Sequence, residues 1–153
     1  MQKMQPDGTP YNLLQQNLKR LGTTMLISSL YDVILALLSL LFSSQIMSLM
    51  GLSPPQEQYC FWPLTHLIFP SFCILAWMDT KRNIVIVAGA IIARVVYASF
   101  MFAAVLLFRL HPILAVAGGI SLLFAATHYV FLRLSDFEFW EVLRRAGNPP
   151  SIR

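Results

Sequence analysis

Four long apolar runs constrain this chain more than any other feature of its sequence. They cover residues 24–42, 59–78, 84–108 and 113–132, and each is close to the roughly 20 residues that a helix needs to cross a hydrocarbon layer of about 30 Å. Backbone amides at that depth have no water to bind, so such runs form helices, and the alternating pattern of a barrel strand is missing. The composition agrees, with 57% hydrophobic and 12% charged residues. We therefore predict an all-α integral membrane protein, a single domain (1–153) folded as an antiparallel four-helix bundle.

Short amphipathic segments are predicted before the first span and after the last one. Residues 1–23 form an arm and, from Tyr11, an amphipathic helix at the membrane surface, because leucines recur there at helical spacing. Residues 133–153 form a second amphipathic helix and a tail, with Ser135 and Glu138 spaced as a capping box. A surface helix is also predicted over residues 45–52. The flanking helices are expected to lie on the bilayer or on a partner protein.

Lysine and arginine are distributed unevenly between the predicted loops. One side of the membrane has Arg109 alone, and the other side has nine basic residues: Lys3, Lys19, Arg20, Lys81, Arg82, Arg133, Arg144, Arg145 and Arg153. By the positive-inside rule, both termini face the cytoplasm or the equivalent compartment of an organelle. We expect a bacterial inner membrane or an organellar inner membrane. The basic residues form no stripe, so the sequence does not support nucleic-acid binding.

Two charged residues, Asp32 and Arg94, are predicted to lie at membrane depth. Counting 1.5 Å per residue from the same face puts them about 12 and 15 Å deep, in the first and third spans. A lone charge there costs about 2.5 kcal/mol or more. We therefore expect Asp32 and Arg94 to form an intramembrane ion pair that makes these two spans neighbours. The pair either fixes which helices meet or belongs to a proton relay or an anion-binding spot.

Three histidines are the candidates for cofactor binding. The same counting puts His66 about 18 Å deep in the second span, where it could join Asp32 and Arg94, and His128 about 7 Å deep in the fourth. His111 is placed in an outer turn. Because the two intramembrane histidines differ in depth by about 10 Å, a bis-histidine haem held by this chain alone is not expected.

Motifs for catalysis and metal binding are missing from the sequence. No His, Cys, Asp or Glu recurs at i+3 or i+4 within a span, and there is neither a phosphate-binding loop nor a nucleophile motif. We predict no catalytic site, no metal and no cofactor, with a bound lipid or pigment as the open alternative.

Two further sets of residues are assigned to packing and to the membrane interface. Gly118 and Gly119 in the fourth span are predicted to form a close-packing surface, since small residues let helix backbones approach. Trp62, Trp77 and Trp140 are predicted to be interfacial anchors, because indole rings favour the headgroup level.

Short motifs also occur within and between the spans: Tyr31-Asp32, the stretch GLSPP at 51–55, Asp79 with Arg82-Asn83, and Ala93-Arg94. Over residues 24–133, the chain resembles a loose group of small, largely uncharacterised four-helix bacterial membrane proteins. The resemblance implies the four-helix fold and brings no activity or cofactor with it.

Three classes of function fit these predictions. The leading one is a non-catalytic accessory or structural subunit of a larger membrane complex, with a respiratory or photosynthetic complex as the expected setting. The second is a small transporter or proton-handling protein that uses Asp32, Arg94 and His66. The third is a subunit that binds quinone, pigment or haem jointly with another chain.

Overall fold

The chain is helical wherever the structure describes regular elements. The computed structural model describes residues 11–49 and 61–147, with side chains for 12–49 and 67–144. Six helices occur in these ranges: α1 (Tyr11–Leu41), α2 (Ser43–Leu49), α3 (Phe61–Met78), α4 (Ile84–Phe108), α5 (Ile113–Leu134) and α6 (Phe139–Gly147). The same ranges contain no strand, and the predicted all-α class is confirmed.

Three of the helices are long and apolar enough to cross a membrane. They are Asn12–Leu41, Ile84–Phe108 and Ile113–Leu134. In α3, the described side chains form a shorter apolar stretch, Leu67–Met78, and a fourth span there stays a prediction. The helix itself continues through Pro70, which is buried.

The first helix differs from its prediction. α1 is one helix of 31 residues, about 46 Å long at 1.5 Å per residue, so the separate amphipathic helix before the first span does not exist. No proline interrupts this stretch of sequence, and Gly22 is buried where α1 meets α3. Leu14 and Leu21 are buried as well. One side of the first turns of α1 therefore packs on other parts of the chain.

The longer helices pack side by side in the ring order α1, α3, α4, α5. α1 packs most extensively on α3 and also on α5, and α4 packs most extensively on α5 and also on α3. Neighbouring helices run antiparallel: Ser29 of α1 contacts Pro70, whereas Gly22, nearer the start of α1, lies against Trp77 near the end of α3. Within the described residues, α1 and α4 lie diagonally across the bundle.

One end of the bundle carries most of the described basic residues, and we call it the charged end. The start of α1, the α3–α4 turn and the α5–α6 turn meet there, since Leu14 and Leu18 share a groove with Lys81 and Asp136. The basic residues in or next to these segments are Lys19, Arg20, Lys81, Arg82 and Arg133, and Arg144 follows in α6. At the far end, Ser44 and Ser48 of α2 share a groove with His111 of the α4–α5 turn.

Two apolar clusters fill the interior. The charged-end cluster consists of nine buried residues: Leu21, Met25, Cys73, Ala76, Val87, Ala90, Ile91, Ala125 and Leu132. The far-end cluster is smaller, with Met47, Met101 and Leu114 as its buried members. The two clusters leave the middle of the bundle to other side chains.

The last carbonyl groups of α5 all accept hydrogen bonds, from the turn that follows and from α1. The last four carbonyls of a helix have no partner within it. Here each accepts a hydrogen bond: Phe131 and Leu132 from the Ser135 N–H, Arg133 from the Asp136 N–H, and Leu134 from the Asn17 side chain. The last of these bonds joins α1 to α5 at 2.9 Å.

The predicted capping box of the last helix is not formed. Ser135 is the C-cap of α5, and its buried Oγ has no hydrogen-bond partner among the described residues. Asp136 then reverses the chain with a φ of 62°, a left-handed conformation that Asp adopts more readily than most residues. α6 begins only at Phe139 and packs on α4, with Val142 buried and Trp140 exposed.

Candidate functional site

Asp32 and Arg94 meet at the centre of the bundle. Arg94 Nη2 lies 2.5 Å from Asp32 Oδ2 and 3.4 Å from the carbonyl oxygen of Ser28. Both residues are buried, with exposed fractions of 5% for Asp32 and 4% for Arg94. The structure thus brings the two charges predicted at membrane depth together in a charge-assisted hydrogen bond.

Two phenyl rings enclose the guanidinium group of Arg94. Its Cζ lies 5.1 Å from the ring centroid of Phe69 in α3 and 5.0 Å from that of Phe124 in α5. A cation within about 6 Å of a ring centroid is attracted to the electron-rich face of the ring. All four longer helices therefore contribute one side chain. We call Asp32, Phe69, Arg94 and Phe124 the central charge layer.

The ion pair crosses the bundle instead of joining adjacent helices. The expectation that it makes the first and third spans neighbours is wrong, because the extensive contacts of α1 are with α3 and α5. A long arginine side chain can reach the far helix while its guanidinium occupies the middle. Hydroxyl groups join adjacent helices instead: Ser29 Oγ donates to the Pro70 carbonyl at 3.1 Å, and Ser121 Oγ donates to the Arg94 carbonyl at 3.3 Å.

A cavity of about 280 Å³ borders the central charge layer. Apolar and aromatic side chains supply most of its described lining: Tyr31, Leu35, Phe69, Ala93, Tyr97, Met101 and Ala117. Asp32, Arg94 and Ser121 are the other lining residues. Charged groups and a mainly apolar space therefore share one site between the helices.

Arg94 has hydrogen-bonding capacity beyond the ion pair. A guanidinium carries five N–H donors in a fixed fork. The bonds to Asp32 and Ser28 use Nη2, whereas the buried Nε has no hydrogen-bond partner within the described part of the chain. The site can therefore bind its own carboxylate and still offer a donor to an acceptor.

The structure does not bring together the two candidate histidines whose side chains it describes, His111 and His128. His128 is fully buried on α5, and its ring stacks on Phe124 at 6.3 Å between centroids. Neither of its ring nitrogens makes a hydrogen bond of good geometry to a described residue, although the Thr24 backbone lies close to the ring. His111 is exposed at the far end, where Nδ1 accepts a hydrogen bond from the Ile113 N–H at 3.3 Å. The prediction for His66 falls on a side chain outside the described residues.

No group of three His, Cys, Asp or Glu side chains able to hold a metal ion occurs among the described residues. His128 and His111 are 17 positions apart, which is roughly 25 Å along a helix. The buried Asp32–Arg94 pair, which borders a cavity, is therefore the candidate site.

The two glycines predicted to form a packing surface have different surroundings in the structure. A Cβ on Gly118 would lie 3.1 Å from Met101 Cβ and 3.3 Å from the Ala98 carbonyl oxygen, so this glycine allows α5 to approach α4. Gly119 faces outward, with nothing within 4 Å of such a Cβ. Among the glycines that the structure describes, Gly22, which was not singled out from the sequence, has the tightest surroundings, since a Cβ there would lie 2.6 Å from Thr80 Oγ1.

Two of the three predicted anchor tryptophans can be placed. Trp77 lies near the charged end of α3 and is partly exposed, and Trp140 is exposed on α6, where its ring packs edge-on against Phe139. The Trp62 side chain lies outside the described part of the structure. Both described rings are at the charged end, which is where an interfacial ring on the inner side would lie.

Sequence reasoning identified the two charges but missed the aromatic rings around them. Counted from the charged ends of their helices, Phe69 and Phe124 lie about 13 and 15 Å deep, the level of Asp32 and Arg94. The depth along each helix therefore indicated which residues lie level with the two charges. It could not select these two rings, because the chain has 11 phenylalanines.

Comparisons of this chain with protein-family models, with curated proteins and with solved structures find no match. The resemblance to small four-helix bacterial membrane proteins stays a prediction. What the chain does is therefore inferred from the geometry of its helices and of the central charge layer.

Proposed function

We propose that this chain is an integral membrane protein of four spanning helices that acts as a non-catalytic accessory subunit of a larger membrane complex. The observation that carries the proposal is the division of its side chains: large apolar groups are exposed around the bundle, and the buried polar groups Ser29, Arg94 and Ser121 bind other helices of the same chain. Such a molecule has an apolar outer surface that other membrane proteins can contact from the side.

Beyond the polar first turns of α1, the outward surface of the long helices is mostly apolar. The most exposed large side chains include Leu41, Met78, Phe100, Leu106, Leu107, Phe108 and Leu123. Soluble monomers rarely expose contiguous apolar patches of more than a few hundred Å². Lipid tails, or the apolar faces of other membrane proteins, are suitable surroundings for this surface.

Four polar contacts join helices of the bundle. Ser29 joins α1 to α3, Ser121 joins α5 to α4, and Asn17 joins α1 to α5. The Asp32–Arg94 bond joins α1 to α4. Because each donor of these ties is used on a partner helix, the arrangement supports a structural role for the bundle.

Purification of the tagged chain at its native expression level tests the subunit proposal. In a mild detergent, we expect it to migrate on a native gel with a larger complex at fixed stoichiometry. Deletion of the gene should lower the mass of that same complex. Substituting Phe100 on α4 and Leu123 on α5 with Ala, one at a time, should identify the face that holds the partner.

A free small oligomer, or a complex whose mass is unchanged by the deletion, would contradict the subunit proposal. The co-purified proteins would also identify the kind of complex. A respiratory or photosynthetic setting is so far a prediction from the sequence.

We also propose that the charged end faces the cytoplasm or the equivalent compartment, following the positive-inside rule. Single cysteines placed at the exposed positions Lys81 and Arg109, in a chain with Cys60 and Cys73 replaced by Ser and Ala, provide a matched pair. In spheroplasts, a membrane-impermeant maleimide should label Arg109→Cys directly and Lys81→Cys only after permeabilisation. The reverse pattern would invert the orientation.

A proton-handling role is the second candidate, because the ion pair borders a cavity at the centre of the bundle. If Asp32 carries protons, Asp32→Asn should abolish flux in proteoliposomes. Flux that is unchanged, or no flux with the unmodified chain, would exclude a relay through Asp32.

A further inference from the structure

The cavity beside the central charge layer has the size of a ring-containing molecule. Its volume is about 280 Å³, whereas a dry cavity of about 150 Å³ already takes up benzene. Side chains from all four longer helices line it, among them Leu35 of α1, Phe69 of α3, Met101 of α4 and Ala117 of α5. A molecule in this space would therefore contact every helix of the bundle.

The charges of the lining indicate a neutral occupant. Asp32 and Arg94 are bonded to each other, so the described lining carries no uncompensated charge. A charged ligand would bring a net charge to membrane depth, and such charges are costly there without a partner. A neutral molecule has no such cost.

The unused donor of Arg94 indicates that the occupant carries a hydrogen-bond acceptor. Arg94 Nε is buried and without a hydrogen-bond partner in the described part of the chain. A guanidinium has donors and no acceptor, so a carbonyl oxygen suits it. A buried donor left without an acceptor destabilises the folded state.

The remaining lining suits a flat ring. Phe69 and Tyr31 supply aromatic faces, and aromatic rings favour stacked or edge-on contacts with one another. Leu35, Met101 and Ala117 supply aliphatic surface for substituents.

From volume, charge, donor and lining together, we infer that this cavity binds a neutral, membrane-soluble molecule that has a carbonyl oxygen on a flat ring, the chemistry of a quinone or an aromatic ketone. Its carbonyl oxygen accepts a hydrogen bond from Arg94, and its ring lies against Phe69 and Tyr31. The inference does not depend on whether the chain is a subunit of a larger complex.

Binding of decylubiquinone to the full chain tests this inference. The chain is purified and placed in phosphatidylcholine nanodiscs, and bound probe is measured by filtration against empty nanodiscs. We expect saturation at one probe per chain. Decylbenzene, which has the ring and the chain but no carbonyl, should bind about tenfold more weakly or less.

A matched pair of variants on α5 locates the site. Ala117 lines the cavity and Ala126 is exposed on the outside of the same helix. Ala117→Leu should weaken probe binding by about tenfold or more, and Ala126→Leu should leave it unchanged. If Ala117→Leu fails to fold, Ala93→Leu fills the cavity from α4.

Several results would overturn the inference. Uptake of the probe that rises without saturation, or that is the same in both α5 variants, would show that the cavity does not hold it. Equal binding of decylbenzene would show that the cavity takes up apolar molecules whether or not they have a carbonyl oxygen. A phospholipid that native mass spectrometry finds retained and that excludes the probe would assign it to a lipid.

Discussion

The charged end of the bundle and its centre are stabilised in different ways. At the charged end, Leu21, Met25 and Leu132 have no exposed surface, and Asn17 ties α1 to α5. At the centre, an ion pair and two phenyl rings border a cavity of about 280 Å³. The difference shows that one bundle can combine close apolar packing and a polar tie at one end with a few polar contacts beside open space at its centre. The centre is where a small molecule has room.

The largest effect is expected from breaking the ion pair on one side. Asp32→Leu leaves a buried guanidinium without its carboxylate, which should cost about 3–5 kcal/mol of folding free energy. Arg94→Met should cost less, because a lone carboxyl can take up a proton and become neutral, whereas a guanidinium stays charged. Equilibrium unfolding in mixed micelles, followed by circular dichroism, measures both losses.

The double variant Asp32→Leu/Arg94→Met provides the control. Since it leaves no unpaired charge, its loss should be smaller than the sum of the two single losses. Additive losses, or single losses below about 1 kcal/mol, would show that the centre is not stabilised by the pair.

Much of this fold could be predicted from the sequence, and the parts that could not share one cause. Proline and polar residues at 79–83 and 109–112 placed the starts of α4 and α5, because these turns are determined locally. Depth counting placed Asp32 and Arg94 at one level, because helix rise is fixed. Both inferences need only the geometry of a single helix.

The errors all concern contacts between helices. A separate amphipathic helix was expected within residues 1–23, but α1 runs unbroken from Tyr11, with Gly22 lying close to Trp77 and Thr80. Ser135 matched a capping pattern, but Asn17 and the following turn complete the end of α5 around it. The diagonal position of α1 and α4 likewise depends on how α3 and α5 pack between them. A sequence pattern for one helix contains none of this information.

A pair of leucines on α5 compares the packing of the two clusters directly. Leu132 in the charged-end cluster has no exposed surface, and Leu114 in the far-end cluster is 6% exposed with fewer buried neighbours. Leu132→Ala should destabilise the chain by about 2–4 kcal/mol, and Leu114→Ala by no more than about half of that. In the proposed membrane setting, the cost comes from the lost packing contacts and not from transfer of apolar surface to water. Equal losses in the same unfolding assay would mean that the two ends are packed alike.

The smallest effect tests whether the charged end also depends on its polar tie. Asn17 Nδ2 donates to the Leu134 carbonyl at 2.9 Å, and that carbonyl ends α5 without a partner inside the helix. Asn17→Ala should therefore cost about 1 kcal/mol. Asn12→Ala, at an exposed position of the same helix, should change the stability by less than about 0.5 kcal/mol. If both variants unfold at the same detergent fraction as the unmodified chain, the tie contributes nothing and the charged end is held by its apolar cluster alone. A measurable loss of stability for Asn17→Ala only would show that the charged end uses polar contacts as well. The charged end and the centre would then differ in packing density and not in the kinds of contact they use.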